Sequence, residues 1–317
     1  WRLGAGTLIP LSDSVAQFSA PIPGTYTIIA SLDNSELADT ASILVIGDSN
    51  TAEFPHEPSG LVTPYTITAP QPNPFDQLPR AWNAADGKAA YALDAYGWMM
   101  EGSPAEWQNA AIVADPVRGN VMRIKLPAGM PGGGSPVKMV AGGGHVWGLS
   151  KAGVAPFQPT RMFWGYYAKL SANWTDVNQV TKLNYVNTTA LNGGNGSAEG
   201  NWLTYLTYQS KPYLTAGMAA QTPATPTYAH HSATGHQRNE WHKFEWYVVL
   251  NDVGVANGVL KCWVDGVLEL DYSNLYLINS TRNIDWITFE LIYGGGLTPV
   301  SEDMYAYFDN WYLTIGE

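Results

Sequence analysis

The chain has 317 residues, a formal net charge of −11, one cysteine, and 13 Trp and 18 Tyr against only 14% charged residues. So many aromatics exclude a disordered chain, and the acidic balance argues against a nucleic-acid partner, because phosphate contacts need Lys and Arg. A single cysteine excludes an intrachain disulfide, and no apolar run approaches the ~20 residues of a membrane span, so no membrane insertion is expected.

Residues 1–46 come first. Pro23-Gly24 marks a turn, after which Tyr26, Ile28 and Ala30 alternate with Thr27 and Ile29 in the manner of a strand. The initial Trp1, the step FSAP, the run PGTYTIIA and the closing ASILV resemble the second half of a bacterial immunoglobulin-like domain. That resemblance implies a spacer or adhesive stalk. A partial sandwich leaves strand edges that need cover, so assembly with a partner is expected through this unit. The sequence opens at Trp1 and reads as a mature or excised piece, for which secretion or surface attachment is the expectation. Residues 47–80 are rich in Pro, Ser, Thr and Asn and are expected to form a semi-rigid linker, part of which runs along the next domain as an edge strand.

From residue 81 to 317 short alternating runs are separated by Gly, Pro and Asn turns. The pattern predicts strands over 120–126, 161–170, 180–187, 202–209, 241–250, 259–265, 285–293 and 304–315, and a short helical turn at SPAEWQNA. The glycine-rich stretches PAGMPGGGSP and VAGGGHVWG match no phosphate-binding loop and read as loops over a sheet. Cys262, inside LKCWV, reads as a small core residue. Asp265-Gly266 reads as a hairpin turn.

The runs WHKFEWYVVLND, NGVLKCWVDGVLELD and FDNWYLT resemble the closing half of a concanavalin-A-like (laminin-G-like) jelly roll. Upstream, NVMRIKLPAGMPGGGSP and RMFWGYYAKLSANW resemble the early strands of jelly-roll polysaccharide lyases and their non-catalytic relatives. The expected fold is therefore all-β: a two-sheet antiparallel jelly-roll sandwich preceded by a small immunoglobulin-like unit. Because this fold hosts lectins, hydrolases and lyases, the activity has to come from the site.

Alternation sorts residues by face. One set is expected in the core. The other collects Trp164, Tyr166, Lys182, Asn184, Tyr205, Gln209, Lys243, Glu245, Tyr247, Lys261, Trp263 and Glu290. Aromatic rings suit the apolar faces of pyranoses and polar groups suit their hydroxyls, so a polysaccharide groove is expected, with Trp164, Tyr166, Asn184, Gln209, Glu245, Tyr247, Trp263 and Glu290 as substrate-binding candidates. The bland alternative divides this set between two outer faces. β-Elimination on a uronate needs a group to neutralise the carboxylate, a base and an acid. Lys182, Tyr205 and His231 are the candidate catalytic residues for it. The lyase signatures R-S/T-E-L-R, Q-I-H and Y-x-K-x-G-x-Y-x-Q are absent, so no role carries over by motif. A glycoside hydrolase would need two close carboxylates, for which Glu245 and Glu290 are the available pair. A third reading is a non-catalytic adhesin or a phage fibre or decoration protein.

The histidines of HHSATGH (His230, His231 and His236) fit no standard zinc spacing. Asp309-Asn310 is the candidate metal position, because related jelly rolls often hold a structural calcium near the last strand. No cofactor is expected to be required.

Overall fold

Alternating strands with tight turns favour antiparallel pairing, and the computed structural model forms twenty strands and one short helix among its described residues. It describes residues 2–3, 7–10, 16–19, 24–31, 38–45, 53–61, 78, 80–81, 98–142, 159–175, 180–190, 201–208, 217–222, 225–231, 234–278, 280–294 and 298–316. The chain divides into two compact units, Trp1–Pro55 and His56–Glu317. In the first, β1 (Arg2–Leu3), β4 (Gly24–Ser31) and β5 (Ala38–Val45) form one sheet, and β2 (Thr7–Pro10) pairs with β3 (Ala16–Ser19).

The large unit is a sandwich. Its eight-stranded sheet runs β15 (Thr225–His231), β14 (Gly217–Thr222), β13 (Asn201–Tyr208), β12 (Val180–Ala190), β19 (Arg282–Tyr293), β10 (Lys138–Gly142), β7 (Met99–Glu101), β6 (Arg80–Ala81). The seven-stranded sheet runs β18 (Val267–Leu275), β17 (Gly258–Val264), β16 (His242–Val249), β11 (Arg161–Leu170), β20 (Met304–Gly316), β9 (Gly119–Leu126), β8 (Ala110–Asp115). Every pairing in the two sheets is antiparallel except β6 with β7. The helix α1 (Pro104–Trp107) starts at a capping box, in which Ser103 and Glu106 satisfy each other's backbone N–H groups.

One core lies between the sheets. Met162, Trp164, Tyr166, Phe244, Trp246, Leu260 and Cys262 enter from the seven-stranded sheet, and Leu183, Val186, Ile287, Phe289 and Leu291 from the other. Phe289 bridges the layers edge-on, 4.4 Å from the Phe308 ring and 4.0 Å from that of Trp311. Trp164 stacks on Trp246 at 5.8 Å, and Tyr166 lies between Phe244 and Trp311. This corrects the expectation that Trp164 and Tyr166 line a groove, since both are fully buried. They do share a face, but it is the core face. Each contributes roughly 2–3 kcal/mol by leaving water.

Two irregularities reset the alternation. In β20 the inward residues are Met304, Ala306 and Phe308, then Trp311, Leu313 and Ile315. The change of phase falls where Asp309 and Asn310 interrupt the register with β11, and Asn310 takes φ +51°. In β12 the register shifts between Lys182 and Asn184, so Leu183 and Val186 both point inward. Asp265 and Gly266, at φ +50° and +83°, make the tight turn between β17 and β18.

Composition placed 47–80 in a linker with an edge strand, and Arg80 does open β6 at the edge of the eight-stranded sheet, but His56–Leu61 belongs to the large unit and lies on a face of its seven-stranded sheet. The backbone N–H of His56 donates to Glu245, its ring stacks on Trp263 at 4.8 Å, and Glu57 accepts from the hydroxyls of Tyr312 and Thr314. Leu61 packs close to Gly316.

Candidate functional site

The eight-stranded sheet carries the arrangement of most chemical interest. Antiparallel pairing lets a backbone register be followed sideways from strand to strand. Ile292 pairs with Lys182, Lys182 with Tyr205, Tyr205 with Gly217, and Gly217 with His231. The three candidate catalytic residues thus occupy one lateral row spanning β12, β13 and β15, with a glycine between the last two. Nearer the other end of the strands, a second row passes through Val140, Thr288, Tyr185, Leu203, Ala219 and Ala229.

Lys182 is half-buried, and the adjacent bulge turns Tyr185 to this same outer face. Alternation alone had assigned Tyr185 to the face opposite Lys182, so this functional candidate was missed. Burial, and then the charge of Glu290, push the Tyr185 hydroxyl up to about 12. Glu290 pairs across the strands with Lys138, and both border a hollow with Gly102, Glu106 and Ser135. Glu290 therefore lies on the expected face.

Other candidates are placed differently. Asn184 is buried and its amide donates to the carbonyl of Thr288, which ties β12 to β19 and takes that amide away from substrate. Glu245, Tyr247 and Trp263 lie on the outer face of the other sheet, along with Lys243 and Lys261. Glu245 is 0% exposed and its carboxylate meets His56 at 2.8 Å. The pairing of Glu245 with Glu290 that a hydrolase would require is ruled out, because the two belong to outer faces of opposite sheets. Gln209 lies outside the described residues.

The outer face of the seven-stranded sheet is rich in charge pairs and partly covered by His56–Leu61. Phe163, Tyr312 and Thr314 are buried there beside Glu245. Lys169 donates to Asp115, which also accepts from the Trp241 indole and from the N–H groups of Val117 and Arg118. Burial alone would raise the Asp115 carboxyl, but these donors outweigh it and hold it at about 2. Asp309, the expected calcium ligand, is buried and meets the Arg118 guanidinium at 2.5 Å, while that guanidinium sits 3.5 Å over the Tyr167 ring. A cation of the protein's own stands where the sequence suggested a metal. Among the described residues, the His, Cys, Asp and Glu side chains close enough together to hold a metal are His236, His242 and Asp265.

Fold and site together define a jelly-roll β-sandwich with one outer face partly covered by its own chain and the other presenting lysine, tyrosine and carboxylate. Residues 195–311 match the family Polysaccharide lyase 14. No curated protein matches the chain. Similar solved structures include the marine PL-14 alginate lyase from Aplysia kurodai, at 15% identity over 65% of this chain and 87% of that one, with a TM-score of 0.49. The alginate lyase vAL-1 from Chlorella virus is similar at 14% identity over 69% of this chain and 93% of that one, with a TM-score of 0.49. An endo-β-1,4-glucuronan lyase from the fungus Trichoderma reesei is similar at 13% identity over 64% and 85%, with a TM-score of 0.46.

Proposed function

We propose that this protein binds a uronate-containing polysaccharide across the outer face of its eight-stranded sheet and cleaves it by β-elimination. The observation that carries the reading is the row Lys182–Tyr205–Gly217–His231. The family match over 195–311 supports it, because that segment contains Tyr205, His231 and Glu290.

Elimination removes the proton α to the uronate carboxylate and expels the glycosidic oxygen. The Lys182 ammonium is the group to neutralise the carboxylate, which makes the adjacent proton acidic. Tyr205 and His231, next along the row, are of the right types to take that proton and to return one to the leaving oxygen. Tyr185, with its hydroxyl at about 12, keeps its proton at neutral pH and is a second donor on the same face. None of these steps calls for a metal or an organic cofactor. A chain of net charge −11 accommodates a polyanion where a local cation meets it, and Lys182 is the cation of the row. Extracellular action fits a polymeric substrate, and among the described residues no helix is long and apolar enough to cross a membrane.

The test is the ultraviolet absorbance of the unsaturated product during incubation with alginate, glucuronan, pectate and ulvan. The expected result is a rise on one polymer that is lost in Lys182→Met and in Tyr205→Phe. Binding without product in the unaltered protein would remove elimination and leave recognition. Neither binding nor product on any of them would overturn the reading.

A further inference from the structure

Away from the row, four side chains from two short segments of the chain meet at one end of the seven-stranded sheet. His236 lies in the connection from β15 to β16, His242 opens β16, Asp265 begins the turn between β17 and β18, and Glu269 lies in β18. His242 Nε2 is 2.9 Å from the carbonyl oxygen of Gln237. A carbonyl only accepts, so Nε2 carries the proton. His236 Nε2 is 2.6 Å from Glu269 Oε1, and a carboxylate likewise assigns the proton to the ring nitrogen.

Both rings in their neutral form therefore keep a lone pair on Nδ1, and the ligand atoms of His236, His242 and Asp265 lie within 4.8 Å of one another. Asp265 Oδ2 is 2.7 Å from His242 Nδ1 and 4.0 Å from His236 Nδ1. Three electron-pair donors facing one another without a proton repel, and a cation among them reverses the sign. A proton on His242 satisfies the short contact but leaves His236 out at the longer distance. A tetrahedral ion with bonds of ~2.0–2.1 Å spaces its ligands by about 3.4 Å, between the two observed distances.

We infer that His236, His242 and Asp265 form a binding site for a divalent transition-metal ion, best matched by zinc, with Glu269 and the Gln237 carbonyl orienting the two imidazoles. The donor set of two imidazoles and one carboxylate favours zinc over calcium or magnesium, which take oxygen ligands. The supporting contacts are those that metal-binding histidines use, with the distal ring nitrogen donating to a carboxylate or a backbone carbonyl. Glu269 adds an independent sign of cation binding. Its side chain is 1% exposed, and while Oε1 accepts from His236, Oε2 is buried without a hydrogen-bond partner, so a carboxylate satisfied at one oxygen alone sits beside His236. Asp265 is held from behind, since its Oδ1 accepts from the Lys243 N–H at 2.8 Å. With its side chain 46% exposed against 12% and 8% for the two histidines, Asp265 marks the side from which an ion enters and a water completes the tetrahedron. The ion would tie the chain leaving β15, the strand that carries His231, to β16 and to the β17–β18 turn.

The experiment is zinc titration by calorimetry of the chelator-stripped whole protein at neutral pH, with thermal melts and a parallel cobalt titration read by visible absorption. The expected result is one ion per chain with micromolar or tighter affinity, a melting temperature that rises by several degrees with zinc, and intense cobalt bands of a tetrahedral site. Asp265→Asn keeps the turn and the side-chain shape and should weaken zinc by more than roughly tenfold. Absence of stoichiometric zinc binding, binding only at millimolar zinc, octahedral cobalt bands, or unchanged affinity in Asp265→Asn would each overturn the site. Should Asp265→Asn fail to fold, the cobalt spectrum of the unaltered protein decides.

Discussion

Replacing Asp115 by Asn removes one charge and little else. The side chain of Asp115 is 4% exposed and that of Lys169, its partner, 15% exposed, so the pair is well shielded from solvent. The carboxylate also accepts from Trp241 and from the backbone of Val117 and Arg118, contacts that an amide oxygen can partly keep. Folding lowers the Asp115 carboxyl from its ordinary 3.8 to about 2. At ~1.4 kcal/mol per tenfold this amounts to roughly 2 kcal/mol of stability at neutral pH. The folded value lies below the unfolded one, so the contribution is complete above about pH 5 and is lost as pH falls toward 2. Urea unfolding of the native protein and Asp115→Asn, run side by side from pH 7 to 2.5, should give a gap of about 2 kcal/mol that narrows steadily below pH 4. A gap that stays constant across the range would show that the loss is one of packing and would refute the charge argument.

Trp164→Ala should cost about 3–5 kcal/mol in denaturant unfolding, because the residue is fully buried against Trp246; an effect on polysaccharide binding alone would contradict its place in the core. Trp263→Ala should leave product formation on the responsive polymer within about twofold, whereas Tyr205→Phe should lower kcat by a hundredfold or more if it moves a proton. Equal losses in the two would place the substrate on the wrong sheet. Asn310→Val puts a β-branched residue at φ +51° and should destabilise by about 1–2 kcal/mol, measured by thermal or urea melts.

Strand positions were legible wherever period 2 was clean. Runs 161–170 and 304–315 recur as Arg161–Leu170 and Met304–Gly316, and Lys243, Glu245 and Tyr247 do share a face opposite Phe244 and Trp246. What alternation does not say is which of two faces meets the core. In β11 both faces are aromatic: Trp164 and Tyr166 fill the interior, while Phe163 is buried on the outer face beside Tyr312. A sheet covered on both sides gives no polar contrast to read. Bulges defeat the method differently, since one extra residue at Leu183 sends Tyr185 to the side where Lys182 already lies. The histidine–carboxylate cluster was invisible because its members are brought together by a turn and two strand ends, and no spacing motif spans His236, His242, Asp265 and Glu269. Asp309 was noticed for its place in the last strand, but its partner, Arg118, lies 191 residues away in sequence.

The strip His56–Leu61 changes where this protein can be cut. A boundary drawn from composition alone, at residue 81, would discard the residues that cover Glu245, Trp263 and Tyr312. The shortened protein would lose the His56 contacts of a deeply buried carboxylate and uncover aromatic surface on its back, a recipe for poor solubility that says nothing about the site on the front. A boundary placed before His56 keeps the contacts that His56 and Glu57 make with that face.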